Sequence, residues 1–318
     1  MNSVAPSPAA LDIAPGSAAA WAVALRPKTF WIAITPVLVG TALALAETGR
    51  FELWVALATL AGSVLMQVIT NLQNDVGYTV RGAERVSRTG LPRATARGWI
   101  TVRQARGAML LAAGVAMLIG LPLIARGGWP VLVIGLSSMI AAYSYMGGPR
   151  PIAYTPLGEL MVLVFFGLVA VGGTYYLQAG QLSWIALAGG GALGLLAAAV
   201  LAVNNYRDRA HDAEVGRRTL AVVMGTHGFE RLYALMMLAP FAVVVLLAVS
   251  SSARLPLLIS ITVLPAALGL VRLLPRTQGA AFNGLLFSTV KLELVFGVLL
   301  TLGALVQAAV ARGLPLAG

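Results

Sequence analysis

The chain contains long apolar stretches that recur between short polar breaks, and this pattern restricts the fold more than any other feature of the sequence. A transmembrane helix needs about 20 predominantly apolar residues. Nine stretches have about this length: 21–46, 53–72, 107–126, 129–146, 157–178, 183–203, 232–250, 255–274 and 283–311. Only helices and closed barrels span a membrane, and stretches of this length exceed a barrel strand. The sequence therefore predicts an all-α, polytopic membrane protein in which about nine transmembrane helices form a bundle.

The composition agrees with a membrane location and narrows the chemistry. Of the 318 residues, 59% are hydrophobic and only 10% are charged, whereas soluble domains carry roughly 25% charged residues. Cysteine is absent, which excludes disulfides, thiolate nucleophiles and cysteine-bound metals. Most of the basic residues behind the net charge of +11 lie in loops between apolar spans. Since nucleic-acid binding needs a basic face with aromatic residues, no nucleic-acid partner is expected.

The basic residues are distributed unevenly between the two ends of the predicted bundle. Most of the 22 Lys and Arg residues lie on one side, chiefly in the polar segments 73–106 and 204–231. Cytoplasmic loops carry the excess of positive charge, so both segments and the N-terminus are predicted to face the cytoplasm from a bacterial inner membrane. Residues 1–20 are rich in Pro, Ser and Ala, which predicts a disordered tail before one transmembrane domain over 21–318.

Each of the two polar segments begins with Asn and Asp residues at the end of an apolar span. The spacing is i, i+3, i+4 in Asn71, Asn74 and Asp75, and i, i+4 in Asp208 and Asp212. Residues at these spacings share one face of a helix, so each set is expected to converge on one point. Such oxygen ligands suit Mg²⁺, which proteins commonly hold through one or two carboxylates together with substrate phosphates.

A purely structural interpretation of these clusters stays open. Asn and Asp are frequent helix caps, and these residues could simply end their helices at the membrane surface. However, a cap needs one such residue, whereas each cluster offers several. Ionisable groups near a membrane are also energetically expensive and often functional. Both points favour the metal site.

Basic residues near the clusters are candidate contacts for phosphate. Arginine binds phosphate oxygens through two parallel hydrogen bonds. The candidates are Arg81, Arg88, Arg93, Arg217 and Arg218. The positive-inside distribution alone also predicts arginines here, so for each of them both interpretations remain open. Lys291 differs because it lies inside the last apolar span, where a buried ammonium needs an anionic partner such as a diphosphate or Glu293.

These motifs resemble those of the UbiA superfamily of membrane prenyltransferases, whose members carry two Asp-rich motifs after helices 2 and 6. The similarity extends over nearly the whole chain and is strongest with the 1,4-dihydroxy-2-naphthoate polyprenyltransferases of menaquinone synthesis. The matching segments are 25–29, 71–75, 88–93, 165–167, 204–212, 216–220 and 289–291. One position departs from the family pattern. An Asp usually follows Asp75 by three residues, whereas this chain has Tyr78, and Glu84 remains as a further carboxylate.

The resemblance implies transfer of a polyprenyl group from a polyprenyl diphosphate to an aromatic acceptor. The implied acceptor is 1,4-dihydroxy-2-naphthoate, which would lose CO₂ and give demethylmenaquinone. Mg²⁺ is the implied cofactor, membrane lipid surrounds the protein, and no obligatory protein partner is implied. The implied metal ligands are Asn71, Asn74, Asp75, Glu84, Asn204, Asp208 and Asp212, and the implied catalytic residues are Asp75, Asp208, Asp212 and Lys291.

Two alternatives to this function stay open. The first is the same chemistry on another aromatic acceptor, such as 4-hydroxybenzoate or homogentisate. The second is a catalytically silent protein that binds lipid diphosphates. The second alternative arises because Tyr78 replaces a carboxylate, and at neutral pH a phenol does not replace a carboxylate as a metal ligand.

Overall fold

The computed structural model describes residues 13–84 and 90–313, and these ranges form a helical bundle without a β-strand. Within them, nine helical spans are long and apolar enough to cross a membrane. The spans are Ala18–Thr48, Leu53–Val80, Val102–Gly127, Trp129–Met146, Gly158–Ala179, Trp184–Glu214, Leu220–Val249, Ser252–Arg276 and Ala281–Ala311. The predicted all-α membrane bundle is therefore confirmed.

The α-helices follow one another with short breaks. In chain order they are α1 (Ala18–Leu25), α2 (Trp31–Thr48), α3 (Leu53–Val80), α4 (Val102–Gly127), α5 (Trp129–Met146), α6 (Gly158–Val162), α7 (Ala170–Ala179), α8 (Trp184–Glu214), α9 (Leu220–Val249), α10 (Leu264–Leu273) and α11 (Ala281–Ala311). A π-helical turn over Leu163–Val169 joins α6 to α7. The 3₁₀ segments are Pro27–Thr29, Ile152–Tyr154, Ser252–Val263 and Leu274–Arg276.

The first span is broken between α1 and α2. Arg26 ends α1 in the left-handed conformation, with φ 52°, which is uncommon for a residue other than glycine. The next residue, Pro27, has no backbone N–H to donate to the preceding turn. Asn71 of α3 stabilises the break because its amide group donates to the Leu25 carbonyl (2.7 Å) and to Thr29 Oγ1 (3.0 Å).

Helices α3 and α8 extend beyond the predicted apolar spans. The sequence predicted their ends near 72 and 203, whereas α3 continues to Val80 and α8 to Glu214. Both Asn/Asp clusters therefore lie on helices and not at the start of loops. Most cluster residues are buried against other elements, and such tertiary packing maintains a helix where the local sequence alone indicates its end.

A stripe of glycines brings the π-helical turn directly against α8. A Cβ atom added at Gly167 would lie 2.5 Å from the Gly190 carbonyl oxygen and 2.6 Å from Gly194 Cα. Small residues commonly allow such close approach of membrane helices. The contact places the two phenylalanines of the turn, Phe165 and Phe166, at the wall of a central cavity.

Residues 13–20 are ordered, so the disordered tail predicted over 1–20 was wrong for this part. Ser17 caps α1 by accepting a hydrogen bond from the Ala20 N–H (3.2 Å). The Gly16 N–H donates to the Trp99 carbonyl (2.8 Å), and Ile13 packs on a small apolar cluster. The composition rich in Pro, Ser and Ala gave no sign of this contact. Residues 1–12 lie outside the described residues.

Candidate active site

A cavity of about 1080 Å³ lies within the bundle. Its wall is formed by α2 to α8, the end of α1, part of α11 and the segment 91–93. One end is rich in cations and amides, contributed by Arg26, Lys28, Gln67, Asn74, Arg93, Asn204 and Arg207. Most of the remaining wall is apolar. It continues to Leu123 near the C-terminal end of α4 and to Leu177 near the C-terminal end of α7, away from the polar end of the cavity. The cavity therefore suits a ligand with an anionic head and a long hydrocarbon tail.

The four cations reach the cavity from three separate parts of the chain. Arg26 and Lys28 come from the break after α1, Arg93 comes from the segment before α4, and Arg207 comes from α8. The Lys28 ammonium lies 4.9 Å from the centre of the Phe287 ring. Arg93 was predicted from the sequence as a phosphate contact, and Arg207 lies in the family-matching segment 204–212. The Pro27 break beside two basic residues was the available signal for Arg26 and Lys28.

Asp75 supports the segment that carries Arg93. Its carboxylate is fully buried and accepts hydrogen bonds from the Ala94 N–H (3.0 Å), the Thr95 N–H (2.8 Å) and Thr95 Oγ1 (2.5 Å). Arg26 Nη2 lies 4.0 Å from the same carboxylate. Asp75 thus holds two cation-bearing segments in place. Its role as a metal ligand and catalytic residue stays a prediction.

The three residues of the first cluster have different neighbours. Asn71 binds the break after α1, Asp75 binds the segment at Thr95, and Asn74 alone of the three lines the cavity. Each residue therefore contacts a different segment packed around α3, and their joint binding of a metal ion stays a prediction. The buried Asn74 Oδ1 has no hydrogen-bond partner.

In the second cluster, Asp208 is paired with the cavity-lining Arg207. Arg207 donates from Nε and Nη2 to the two carboxylate oxygens (2.7 and 2.8 Å) and also from Nη2 to Asn204 Oδ1 (2.7 Å). Asp208 is only 2% exposed. A third bond, from Nη1 to Asn283 Oδ1 (2.8 Å), ties this arrangement to α11. The guanidinium group is consequently fixed at the polar end of the cavity.

Asp212 forms a second buried ion pair one turn further along α8. Its Oδ1 accepts a hydrogen bond from Arg217 Nη1 (2.6 Å), whereas its buried Oδ2 has no partner. Arg217 also donates to the Ala153 carbonyl (3.0 Å) and to the hydroxyl of Tyr78. Burial by itself lowers the pKa of the Arg217 guanidinium, but the surrounding Tyr78 and Asp212 oxygens raise it above its usual value. Arg217 therefore stays charged.

Two donor atoms of the clusters fit a hard cation, one on the cavity-lining Asn74 and one on Asp212, which does not line the cavity. Among the described residues, no group of three or more His, Asp or Glu side chains is arranged as a complete metal site. Mg²⁺ does not require one, because substrate phosphates usually complete its coordination. Asn74 Oδ1 and Asp212 Oδ2 are buried oxygens without hydrogen-bond partners, and leaving such a group unpaired costs about 1–3 kcal/mol. The full set of predicted ligands stays a prediction.

Several predicted contacts lie away from the cavity wall. Arg81 donates to the carbonyls of Met146 (3.3 Å) and Gly148 and stacks on Tyr154. Arg218 has an exposed side chain, and Glu84 is half-buried in the loop after α3. These three do not line the cavity, so their predicted roles receive no support from its geometry. Arg88 lies outside the described residues.

Lys291 was expected to be a buried ammonium, and this expectation was wrong. Its side chain is exposed and does not line the cavity. The buried residue on this part of α11 is Glu293, which is 0% exposed and whose two carboxyl oxygens have no hydrogen-bond partner. A spacing of two positions places the residues on different faces of the helix, and the packing of α11 turns the lysine face outward.

Glu159 is a buried carboxyl group that the sequence analysis did not select. It is 4% exposed, and its Oε1 accepts a hydrogen bond from Asn205 Nδ2 (2.9 Å). The residue that precedes Asn205 on α8 is Asn204, which lines the cavity. A lone carboxylate at the beginning of an apolar span was the available signal, because such a group is costly at membrane depth.

The chain is similar to known proteins in sequence and in fold. The model of a family described as the UbiA prenyltransferase family matches residues 33–288. A 1,4-dihydroxy-2-naphthoate octaprenyltransferase of Escherichia coli (strain K12) is 39% identical over 225 residues, which cover 69% of this chain and 73% of the relative. A protein of the same name from Bacillus subtilis (strain 168) is 31% identical over 287 residues, covering 89% and 91%.

Two solved structures illustrate the similarity in fold. A UbiA homolog from Archaeoglobus fulgidus bound to GPP and Mg²⁺ superposes with a TM-score of 0.67 at 14% identity and covers 90% of this chain and 99% of that one. The apo structure of a UbiA homolog from Aeropyrum pernix K1 gives a TM-score of 0.61 at 15% identity, covering 87% and 97%. At these identities the similarity concerns the fold.

Proposed function

Because the chain belongs to the UbiA prenyltransferase family and is therefore an integral membrane prenyltransferase, we propose that it prenylates 1,4-dihydroxy-2-naphthoate. The donor is a polyprenyl diphosphate, the ring carboxyl group leaves as CO₂, and the product is the prenylated hydroquinone demethylmenaquinol, which a separate two-electron oxidation outside this reaction converts to demethylmenaquinone. The cavity is the main support for this proposal, since it combines four cations at one end with a long apolar body. The names of the relatives from E. coli and B. subtilis support the choice of acceptor.

The cavity accommodates the two chemically different parts of the donor. Arg26, Lys28, Arg93 and Arg207 provide charge for the diphosphate, and arginine matches phosphate oxygens through paired hydrogen bonds. The apolar wall takes the isoprenoid tail, whose transfer from water to an apolar surface stabilises binding by roughly 25 cal/mol per Å². This division orients the donor with its diphosphate at the polar end.

The reaction begins when the carbon–oxygen bond of the allylic diphosphate breaks. The electron pair leaves with the diphosphate, and the cationic side chains stabilise the negative charge that grows there. Asn74, Asp208 and Asp212 are the residues that would hold Mg²⁺, which when bound supplies further positive charge to the leaving group. The acceptor ring then forms a carbon–carbon bond to the allylic cation and loses CO₂. The apolar wall excludes water that would otherwise trap the cation.

We place the protein in a bacterial inner membrane with the polar end of the cavity toward the cytoplasm. The asymmetric distribution of Lys and Arg between the two ends of the bundle supports this orientation. Both substrates of the proposed reaction reach the polar end from that side. Labelling of single introduced cysteines in loops 81–101 and 49–52 with a membrane-impermeant reagent, in intact cells, measures the orientation directly.

The proposal is tested with purified protein in lipid nanodiscs, radiolabelled polyprenyl diphosphate and a panel of acceptors. We expect prenylated product with 1,4-dihydroxy-2-naphthoate and with Mg²⁺ present, and little with 4-hydroxybenzoate or homogentisate. Product with one of the latter alone would reassign the acceptor. Retention of the donor without product from any acceptor would identify a silent lipid-diphosphate binder and refute the proposed activity.

Two lysines provide a matched pair of variants for the same assay. Lys28→Met removes a cation from the cavity, and Lys291→Met removes one from the outer face of α11. Loss of a charged hydrogen bond of about 1.5–3 kcal/mol predicts a donor KM about 10- to 150-fold higher for Lys28→Met. Lys291→Met should stay within about twofold of wild type, because Lys291 does not line the cavity. Loss of turnover in Lys291→Met would instead support the catalytic role assigned from the sequence.

A further inference from the structure

Tyr78 connects the two polar clusters. It lies on α3 three residues after Asp75 and is only 1% exposed. Its hydroxyl oxygen accepts a hydrogen bond from Arg217 Nη1. Its ring also lies against two guanidinium groups, with 4.2 Å between the ring centre and Cζ of Arg93 and 5.3 Å to Cζ of Arg217. One phenol therefore contacts an arginine from each side of the site.

The two arginines have different positions relative to the cavity. Arg93 is 1% exposed and lines the cavity. Arg217 is 3% exposed, pairs with Asp212 at 2.6 Å and donates to the Ala153 carbonyl at 3.0 Å. Attraction between a cation and an aromatic ring increases when both are removed from water. Tyr78 is consequently a strong determinant of where both guanidinium groups lie.

We propose that Tyr78 is a positioning residue for the diphosphate end of the cavity. Its ring fixes Arg93 at the cavity wall, and its hydroxyl fixes Arg217 against Asp212. This inference rests on the proposed function, because it assigns contact with the diphosphate to Arg93. The contact involves no covalent step.

The inference also depends on position 78 being an aromatic residue and not a carboxylate. Tyr78 contacts the two arginines through an aromatic ring and a hydroxyl group, and it contributes no carboxylate to the site. A carboxylate at this position would also attract both guanidinium groups, but in the absence of Mg²⁺ it would oppose an incoming diphosphate by direct charge repulsion.

Three substitutions separate the contributions of the ring, the hydroxyl and the charge. Tyr78→Phe keeps the ring, Tyr78→Leu removes it, and Tyr78→Asp introduces a negative charge. The measurement is calorimetric binding of inorganic diphosphate to the full-length protein in nanodiscs with EDTA, followed by donor KM and kcat with Mg²⁺. We expect binding by Tyr78→Phe within about threefold of wild type, and about tenfold weaker binding by Tyr78→Leu. Tyr78→Asp should weaken binding by at least about tenfold.

Tyr233→Leu is the control for the loss of a buried tyrosine ring. Tyr233 lies on α9, is 0% exposed and does not line the cavity. Its replacement should lower thermal stability without changing diphosphate affinity or donor KM. If Tyr78→Leu behaves in the same way, its role is structural and the proposal is overturned. Unchanged diphosphate binding in Tyr78→Asp would overturn it as well.

The binding measurement and the turnover measurement test different proposals. Absence of product from wild-type protein with every acceptor refutes the proposed function, whereas the comparison of diphosphate binding among the Tyr78 variants still gives a result. Wild-type turnover combined with unaltered binding and KM in all three variants refutes the role of Tyr78 alone. Failure of wild-type protein to bind diphosphate in EDTA also refutes it, because the positioned cations would then be insufficient to hold the anion.

Discussion

Replacement of Asp208 should separate the structural and the catalytic contributions of the second cluster. In the structure this carboxylate accepts two hydrogen bonds from Arg207, at 2.7 and 2.8 Å, and is only 2% exposed. Asp208→Ala removes both bonds and leaves a buried guanidinium group without its charge partner. Asp208→Asn keeps one acceptor oxygen but removes the negative charge. The two variants are therefore expected to differ in stability and to agree in activity.

The expected magnitudes follow from these contacts. Removing one partner of a buried ion pair typically costs about 3–5 kcal/mol, and Asn204 and Asn283, which also bond Arg207, place the Ala variant at the lower end. The Asn variant loses the contribution of one charge-assisted bond, about 1.5–3 kcal/mol. Both variants lose the carboxylate that would hold Mg²⁺ beside the diphosphate. Loss of such electrostatic stabilisation predicts turnover lower by about 100-fold or more.

The assay measures thermal unfolding by tryptophan fluorescence and formation of labelled product at limiting Mg²⁺, with both variants in the same nanodiscs. Asp208→Asn should remain folded at the assay temperature and still be almost inactive. Asp208→Asn with more than half of the wild-type turnover at limiting Mg²⁺ would refute the metal assignment. Equal stability of Asp208→Ala and wild type would refute the importance of the ion pair with Arg207.

Three further outcomes test the packing, the cofactor and an unused carboxyl group. Gly167→Ala places a Cβ about 2.5 Å from the backbone of Gly190, so the free energy of unfolding should fall by about 1–3 kcal/mol. The control is Gly114→Ala, at a position with open space around it, which should leave the free energy of unfolding unchanged or raise it slightly. Excess EDTA should stop product formation and added Mg²⁺ should restore it, and undiminished activity in EDTA would contradict the use of a divalent cation. Glu293→Leu removes buried, unpaired oxygens, so stability should rise by about 1–3 kcal/mol with turnover retained; a large loss of turnover would give this carboxyl group a function.

Much of the architecture could be predicted from the chain alone. Apolar stretches of membrane-spanning length predict helices because each residue in lipid must satisfy its backbone groups within its own helix. This reasoning considers each segment alone. Among the described residues it placed the nine spans to within several positions, apart from the later ends of α3 and α8 and the earlier start of α9, which begins at Leu220 and not near 232. The Asn and Asp clusters and their relation to a prenyltransferase family were also legible in the sequence.

The composition of the cavity wall was decided only by the tertiary structure. Neighbouring residues of α3 have different roles, since Asn74 lines the cavity and Asp75 binds Thr95. Lys28 enters the cavity whereas Lys291 faces outward. Helical periodicity determines which side chains share a face, but it does not determine which segment packs against that face.

The physical reason lies in the separation of the interacting groups along the chain. A buried polar side chain needs a partner, and within this bundle the partner often comes from a distant helix. The hydrogen bond between Arg217 and Tyr78 joins residues 139 positions apart, and the bonds from Ala94 and Thr95 to Asp75 cross 19 and 20 positions. Transfer of apolar segments into lipid is a property of each segment and was readable from the sequence. Pairing of charges inside the bundle depends on how the segments pack, and only the tertiary structure determined it.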